Sequence, residues 1–427
     1  MEWLKALHAL LGDEDEHLQT GVEVLADISQ ELASSLDIGQ TLRISTDRIR
    51  HYLNAEAASV FLLEDKGRKL CCYACSGSVE LVGLEMPAGQ GIVGKTVATG
   101  RVQVVTNAAV HPEFCADVDK KTGFVTRSIL CAPLKVRDVT LGAIEVINKQ
   151  NSDGFFSRQD VHLLSVLASS TSLAIHNSKM AEQLVEQERL QKELELARTI
   201  QKSMLPGQLQ KELPVVGMNL PVQEVSGDFY DYFCLKDGRI GFALGDVAGK
   251  GITAALLGAK AGSLYHCLGK RMSSPGRLFE IINNELSEKT TRGMFVTMVG
   301  GIYDPSTHQV LFANAGHPPP LFRNCYGQFT NFPAESPPLG ILHEVAYPEH
   351  TISIKDGALY IYSDGLAEGF LKRGNLVGLD NVQALINRWT QLPARQRIEA
   401  IAGEVATLPN RKDDVTLLVI EADHENI

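Results

Sequence analysis

The side chains best suited to chemistry in this sequence are aspartates near the ends of strands in its C-terminal half. Asp228 in SGDFYD and Asp246 in GDVAGKG flank a predicted hairpin whose turn spans residues 236–238, with glycine at the left-handed position. Such a turn pairs residue 235 with residue 239, so Asp228 falls opposite Asp246 on one face of the sheet. Cross-strand Cβ atoms of this kind lie about 4.5–5.5 Å apart, and two carboxylates there repel each other. We therefore expect a cation between them.

Further acidic positions lie beside two other predicted strands. Asp364 ends the strand ALYIYSDG, and Asp413 with Asp414 precedes the strand VTLLVI. Carboxylate oxygens without nearby clusters of His or Cys favour Mg²⁺ or Mn²⁺ over zinc. Two such ions roughly 3.5–4 Å apart can acidify a bridging water and hold a phosphoryl group for in-line attack. The alternative is that each aspartate only caps a helix or makes a turn, which is the better interpretation of any one of them alone.

The elements that must position these aspartates are strands separated by helices. Beyond residue 207, apolar and β-branched runs predict strands at 228–235, 239–247, 295–303, 310–313, 359–363 and 415–420. Helical patterns are found at 253–268, 275–288 and 382–406. Helices inserted between runs of strands indicate an α+β fold in which a sandwich has its sheets inside and its helices outside.

Six motifs in this half occur in a fixed order, namely SGDFYD, GDVAGKG, FVTMVGGIYDP, ANAGHPPP, YSDGLAE and DDVTLLVI. They resemble the bacterial PPM-type, metal-dependent serine/threonine phosphatases of the SpoIIE/RsbU branch, over roughly residues 190–427. The resemblance implies an αββα sandwich and direct hydrolysis by metal-activated water, with no covalent phosphoenzyme. It implies two Mn²⁺ or Mg²⁺ ions. The catalytic residues, which are also metal ligands, would be Asp228, Asp246, Asp364 and Asp413. The backbone carbonyl of Val247 would be a further ligand. Asp414 is an alternative to Asp413 as the ligand and is otherwise expected to support the site.

Neighbouring side chains have two interpretations each. Lys250 either meets the substrate phosphate or is solvated. Asn314 and His317 in ANAGHPPP either orient substrate and shuttle a proton, since histidine titrates near neutral pH, or hold a loop. Asp231 lies three residues beyond Asp228 and hence on the opposite face of its strand, so we do not expect it in the site.

The N-terminal third resembles a GAF domain over about residues 20–177. The resemblance rests on RISTDRIRHYLNAEAASVFLLED, GQGIVGKTVATGR and ILCAPLKVRDVTLGAIEVINK, with predicted strands at 59–63, 70–75, 102–106, 129–136 and 141–148. Asn148, Lys149, Phe156 and Asp160 match the spacing of the NKFDE motif of cyclic-nucleotide-binding GAF domains, although Val161 replaces its glutamate. A Lys149–Asp160 pair would be structural. The ligand is then cyclic AMP, cyclic GMP or another small molecule, or the domain only dimerises.

Residues 157–205 contain neither glycine nor proline and predict one long helix or two in tandem. A seam with steps of three and four is formed by Leu173, Asn177, Met180 and Leu184, then by Leu190, Leu194, Ala197, Gln201 and Met204. This pattern favours a coiled-coil linker that pairs with a second chain over a helix that packs on its own domain. The expected organisation is a helical extension at 1–19, the GAF domain at 20–177, the overlapping linker at 157–205 and the phosphatase domain at 206–427.

Composition limits the possible functions. The 427 residues suggest two or three domains, and a net charge of −11 lacks the basic field that nucleic-acid binding needs. No apolar run approaches the roughly 20 residues of a membrane span. We therefore expect no nucleic-acid partner, no membrane contact and a cytoplasmic location.

Together these patterns predict a signal-controlled protein phosphatase. A GAF domain would sense a small molecule, a dimeric linker would transmit the change, and the C-terminal domain would act on phosphoserine or phosphothreonine of a partner. In the family it resembles, that partner is usually an anti-sigma-factor antagonist. The alternative is a catalytically silent, ligand-responsive scaffold that sequesters its partner. A cyclic-nucleotide phosphodiesterase is disfavoured because it would need a His/Asp metal cluster.

Overall fold

The computed structural model describes residues 38–206, 213–288, 293–368, 378–407 and 411–422. The chain divides into two compact units with the boundary between Glu188 and Arg189. The expected helical extension at 1–19 and the start of the sensor region lie outside the described residues. None of the helices in the described ranges is both long and apolar enough to cross a bilayer.

The described part of the first unit contains six strands and four α-helices. The strands are β1 Ala55–Glu64, β2 Lys69–Ser76, β3 Glu85–Pro87, β4 Gln103–Val105, β5 Ile129–Val136 and β6 Val139–Lys149. The helices are α1 Ile38–Tyr52, α2 Gly91–Thr99, α3 Asp117–Thr122 and α4 Arg158–Met204, the last of which continues into the second unit. The strands form one antiparallel sheet in the order β3-β2-β1-β6-β5-β4. This sheet contains all five strands that the sequence predicts in the region.

Apolar side chains cover both faces of this sheet. On one face, Ile49 of α1 and Leu164 of α4 belong to the same buried cluster as Ile144 of β6. On the other face, Ile92 of α2 belongs to a cluster with Phe61 of β1. Because both faces are covered, the central strands are almost continuously apolar, in contrast to the alternation of a half-exposed sheet.

The residues that match the NKFDE spacing hold the end of β6 in place. Lys149 Nζ lies 2.8 Å from Asp160 Oδ1 and donates to the Leu53 carbonyl over 2.9 Å. Buried Asn148 accepts from the backbone N–H of Arg127 over 2.6 Å. The Lys149–Asp160 pair is therefore the structural tie that the sequence predicts.

The predicted linker is one continuous helix, α4, of 47 residues. Its first turns bury Leu164, Leu167 and Ile175. Farther along, apolar side chains are exposed, with Leu184 at 57% and Leu190 at 50%. The helix therefore packs on the first sheet at its start and presents apolar side chains to solvent later.

After the end of α4, the described residues of the second unit form ten strands and five α-helices. The strands are β7 Val215–Leu220, β8 Phe229–Cys234, β9 Ile240–Val247, β10 Val296–Asp304, β11 Gln309–Ala315, β12 Leu321–Asn324, β13 Phe329–Asn331, β14 Glu349–Ser353, β15 Gly357–Tyr362 and β16 Val415–Glu421. The helices are α5 Ile252–Gly269, α6 Pro275–Ser287, α7 Asp364–Glu368, α8 Leu379–Trp389 and α9 Ala394–Ala406. The strands form two five-stranded sheets, in the orders β14-β11-β10-β9-β8 and β13-β12-β15-β16-β7.

Three buried layers confirm the expected αββα sandwich. Phe279 of α6 packs in the layer between helices and the first of these sheets. Phe242 and Leu418 lie in the layer between the two sheets. Ile401 of α9 lies in the layer between the second sheet and its helices.

The sequence underestimated both sheets of this unit. Strands β7, β12, β13 and β14 were not predicted, and the predicted helical region at 382–406 is two helices. Pro393 lies between them, at the N-cap position of α9. Its ring has no N–H, so it cannot continue a preceding helix.

Candidate metal centre

The hairpin that carries Asp228 and Asp246 has the predicted register. Its turn glycine takes a left-handed φ of 87°. Phe229 pairs with Gly245 across β8 and β9, so the next pair outward is Asp228 with Asp246. Each carboxyl group shifts the pKa of the other, as the predicted close approach requires.

Burial raises the pKa of three of these aspartates, and neighbouring carboxylates add to the shift at Asp246 and Asp364. Burial raises the pKa of Asp246, and the carboxylates of Asp228, Asp364 and Asp413 raise it further. Burial also raises the pKa of Asp228, whereas a hydrogen bond from Thr416 lowers it. Burial followed by Asp413 raises the pKa of Asp364. Four acidic side chains therefore share one region, and in it neighbouring carboxylates oppose ionisation of Asp246 and Asp364.

Asp228 is fixed by side chains around it. Thr416 Oγ1 donates to Asp228 Oδ2 over 2.7 Å, and Asn219 Nδ2 donates to Thr416 Oγ1 over 2.8 Å. The Asp228 N–H donates to Ser226 Oγ over 3.1 Å. With only 4% of its surface exposed, Asp228 has little freedom to change direction.

Asp364 is brought close by the contact between α7 and the chain entering β16. Asp364 is the first residue of α7, two residues after β15 ends at Tyr362. A Cβ placed on Gly365 would stand 2.0 Å from the carbonyl oxygen of Asp414. Only glycine allows the two segments to approach this closely, so Gly365 sets the separation between Asp364 and the 413–414 loop.

The two neighbouring aspartates have different partners. Asp414 Oδ1 accepts from the Val222 N–H over 2.7 Å. Its Oδ2 accepts from Ser226 Oγ and the Gly227 N–H, each over 2.9 Å. Asp413 Oδ2 instead lies 2.8 Å from Lys250 Nζ at a half-exposed position. Asp414 therefore holds the loop before Asp228, and Asp413 is the carboxylate that faces a cation.

Val247, the predicted backbone ligand, lies at the end of β9. Gly227 is the residue directly before Asp228. A Cβ added to Gly227 would stand 3.5 Å from the Val247 carbonyl oxygen, so this oxygen lies close to the start of β8. Gly249 and Gly251 take φ values of 109° and 76°, which glycine adopts without strain. The loop can thus turn sharply directly after Val247.

The donor set fits divalent cations by its chemistry. Among the described residues, no three His, Cys, Asp or Glu side chains are already grouped tightly enough to hold a metal ion. The carboxylates nevertheless meet in a largely buried region, and a cation there would remove the repulsion that raises their pKa values. Hard oxygen donors select Mg²⁺ or Mn²⁺. The structure therefore brings together the predicted ligands without imposing a coordination geometry.

The residues of ANAGHPPP form a buried loop next to this region. Burial lowers the pKa of His317 to about 3, and its Nδ1 lies 2.9 Å from Thr297 Oγ1. Asn314 Oδ1 accepts from the His317 N–H, and Asn314 Nδ2 donates to the His317 carbonyl. The structure places both side chains in the loop-holding arrangement.

Asp231, which the sequence analysis left out of the site, has a different partner. Its Oδ2 lies 2.7 Å from His266 Nδ1.

The last turns of α4 touch the loop that precedes Asp228. Gln201 Nε2 donates to the Ser226 carbonyl over 2.7 Å, and Gln201 Oε1 accepts from the Ser226 N–H over 2.9 Å. Gln201 was expected in the seam of a coiled coil, but here it packs on its own unit. This two-bond contact reaches a residue that also bonds Asp414.

Several of these supporting residues were missed at the sequence level. Thr416, Asn219 and Gln201 lie far apart in the chain, and nothing in their spacing links them to the aspartates. Ser226 offered a signal, since it stands two residues before Asp228 in SGDFYD.

The second unit combines a two-sheet sandwich with an acidic cluster, which is the arrangement that the SpoIIE/RsbU resemblance implies. Residues 236–423 match the family model of stage II sporulation protein E (SpoIIE), and residues 37–175 match the GAF domain model. The N-terminal part of the chain thus matches the GAF domain family and the C-terminal part matches the SpoIIE family, as the motifs predict.

Individual proteins are similar to parts of this chain. Phosphoserine phosphatase RsbU of Bacillus subtilis is 28% identical over 248 residues, which cover 55% of this chain and 71% of RsbU. A probable 3',5'-cyclic phosphodiesterase, pde-5 of Caenorhabditis elegans, is 31% identical over 143 residues, covering 31% of this chain and 19% of that protein. The solved SiaA-PP2C domain of Pseudomonas aeruginosa has a TM-score of 0.50 and 19% identity, covering 56% of this chain and 99% of that domain.

Proposed function

We propose that this protein is a signal-regulated phosphatase that removes phosphate from phosphoserine or phosphothreonine of a partner protein. The observation that carries the proposal is the meeting of Asp228, Asp246, Asp364 and Asp413 from two sheets, where burial raises the pKa of the first three and neighbouring carboxylates raise that of Asp246 and Asp364 further. The similarity to a phosphoserine phosphatase supports the substrate class. We further propose an anti-sigma-factor antagonist as the partner, as the SpoIIE/RsbU resemblance implies, and a cytoplasmic site of action.

The proposed ligands of two Mn²⁺ or Mg²⁺ ions are Asp228, Asp246, the Val247 carbonyl, Asp364 and Asp413. Such ions, when bound, lower the pKa of water and neutralise phosphoryl charge. The hydrogen bond that Thr416 donates to Asp228 favours the ionised form of this carboxyl group. Because Asp414 already accepts three hydrogen bonds, we assign it to holding the loop and Asp413 to the metal.

Lys250 has a distinct proposed role at the mouth of the site. Its ammonium group is half-exposed and pairs with Asp413, and nearby acidic groups, first Asp413, raise its pKa. It therefore stays protonated over the physiological range and can offer its charge to a phosphate that approaches the aspartates.

We propose that α4 carries the signal. The GAF domain at 20–177 would bind a small molecule, for which the sequence leaves cyclic AMP and cyclic GMP open, and the linker at 157–205 would pass the change to the domain at 206–427. Gln201 supports this route, since its two hydrogen bonds to Ser226 connect the helix to the loop before Asp228. Exposed Leu184 and Leu190 support pairing of two chains along the helix.

Hydrolysis of a generic aryl phosphate tests the enzyme proposal against the silent scaffold. We expect Mn²⁺-dependent phosphate release that a chelator abolishes and that Asp246→Asn reduces at least 100-fold. Asp237→Asn is a matched control, because Asp237 pairs with Arg239 in the exposed hairpin turn. If the folded wild-type chain releases no phosphate with any metal or phosphoprotein, the scaffold alternative replaces the proposal.

A further inference from the structure

A cavity of about 90 Å³ lies in the first unit between the sheet and the segment from α2 to α3. Phe61, Ile129 and Ile147 line it from the sheet, and Val93 and Phe114 line it from the cover. Its volume is well below the roughly 300–1,000 Å³ of pockets for drug-sized ligands. A ligand that fits without opening the cover must be small and largely apolar.

One ionisable side chain lies deep in this cavity. Glu145 of β6 pairs with Ser59 on one neighbouring strand and Cys131 on the other, at the middle of the sheet. It is 8% exposed, and its Oε1 accepts from Ser59 Oγ over 2.9 Å. Among the described residues its Oε2 has no hydrogen-bond partner. A buried carboxyl group with an unused oxygen costs free energy until a donor reaches it.

The charges around the cavity have one sign. Asp119 of α3 also lines it and is held through both carboxylate oxygens by the backbone and side chain of Thr126, each over 2.8 Å. In the described part of the chain, no Lys, Arg or His lines this cavity. Lys121 lines a neighbouring cavity, where Glu85 and Asp117 accompany it.

These contacts disfavour an anionic ligand. A phosphodiester placed here would lose its hydration and stand near two carboxyl groups with no cation to balance it. An ammonium group supplies what Glu145 lacks, since it carries three donors and a positive charge. Burial, with a smaller contribution from Asp119, raises the pKa of Glu145 to about 7, so its ionisation is readily coupled to arrival of a cation.

We propose that this cavity binds a small alkyl cation whose ammonium group pairs with Glu145 and whose alkyl chain lies among the apolar side chains, and that it excludes cyclic nucleotides. This inference deepens the proposed ligand control by naming the ligand class. Its test measures binding alone, so it can fail while the phosphatase proposal stands, and the reverse.

The experiment titrates n-butylammonium into the full-length chain and follows binding by saturation-transfer NMR and by the melting temperature. At ten times the dissociation constant we expect a melting temperature higher by roughly 3 °C. Glu145→Gln should weaken binding at least tenfold, whereas the matched control Asp117→Asn should bind like wild type, since Asp117 lines only the neighbouring cavity. Neutral n-butanol should bind at least tenfold more weakly than n-butylammonium.

Cyclic AMP and cyclic GMP are titrated in parallel and in competition. Binding of either nucleotide that displaces n-butylammonium, or equal binding of n-butylammonium to wild type and to folded Glu145→Gln, overturns the inference. If Glu145→Gln does not fold, Ser59→Ala serves instead, because it frees Oε1 without removing the carboxylate. It should retain the preference for n-butylammonium over n-butanol, and loss of that preference also overturns the inference.

Discussion

Replacing Gly365 with alanine should separate the two halves of the acidic cluster. A Cβ at this position stands 2.0 Å from the Asp414 carbonyl oxygen and 3.3 Å from the Asp413 carbonyl carbon. Ordinary contacts to a Cβ begin near 3.4 Å, so the start of α7 must move from the 413–414 loop by about 1.4 Å. Both obstructing atoms belong to the backbone, which cannot turn aside as a flexible side chain can.

The shift acts on Asp364 and Asp413 together, because they flank the contact. A misplacement of about 1 Å in a catalytic group can cost about 100-fold in rate. We therefore expect kcat to fall about 100-fold and the Mn²⁺ concentration for half-maximal activity to rise. Overpacking of this kind costs about 1–3 kcal/mol of stability, so the domain should remain folded.

The assay is aryl phosphate hydrolysis as a function of Mn²⁺ concentration, with circular dichroism to confirm folding. Gly403→Ala in α9 is the matched control, because its Cβ would meet no atom within 4 Å and alanine favours a helix by about 1 kcal/mol. The control should keep wild-type activity. A folded Gly365→Ala protein that hydrolyses the substrate within threefold of the wild-type rate would refute the reasoning.

Three further changes test other parts of the account. Thr416→Val removes the donor to Asp228 and should weaken Mn²⁺ binding about 10–100-fold by calorimetry; unchanged affinity would contradict the role of this hydrogen bond. Gln201→Ala breaks both bonds to Ser226 and should change phosphatase activity of the full chain by severalfold while metal affinity is retained, and equal activity of variant and wild type would exclude Gln201 from the signal route. Glu145 binds its proton more tightly in the folded state than at its ordinary pKa of 4.5, so the stability of the first unit should fall by about 3 kcal/mol as pH rises from about 4.5 to 7. Hydrogen exchange of β6 amides should show this decline in wild type and not in Glu145→Gln.

The sequence predicted the hairpin of β8 and β9 well because local rules determine it. A glycine in the turn fixes the loop length, and the loop length fixes which residues of β8 and β9 face each other. The pairing of Asp228 with Asp246 follows from those two facts alone. The same holds for the Lys149–Asp160 tie, where the motif spacing specified both partners.

The parts that the sequence missed depend on distant contacts. Strand β7 contains Gly217 and Asn219, which are poor strand formers, and it is stabilised by pairing with β16. Two adjacent identical residues gave no basis for choosing Asp413 or Asp414 as the proposed metal ligand. The structure separates them by their partners, because Asp414 holds the loop before Asp228.

The linker shows the same limit in a different form. The spacing of three and four residues between apolar positions predicted a coiled-coil seam, and all of these positions lie on one continuous helix. That pattern cannot distinguish pairing with a second chain from docking on a neighbouring loop. Gln201 docks on the loop before Asp228, whereas Leu184 and Leu190 are exposed, so docking accounts for only part of the seam.

The most direct test of the central claim is a count of the manganese ions that the acidic cluster binds. Titration of the full-length chain with Mn²⁺, followed by electron paramagnetic resonance of the unbound ion, should give two sites per chain. Asp246→Asn should lose at least one site, and the matched Asp237→Asn should keep both. A wild-type chain that binds no Mn²⁺, or an Asp246→Asn chain that binds as many ions as wild type with equal affinity, would contradict the account.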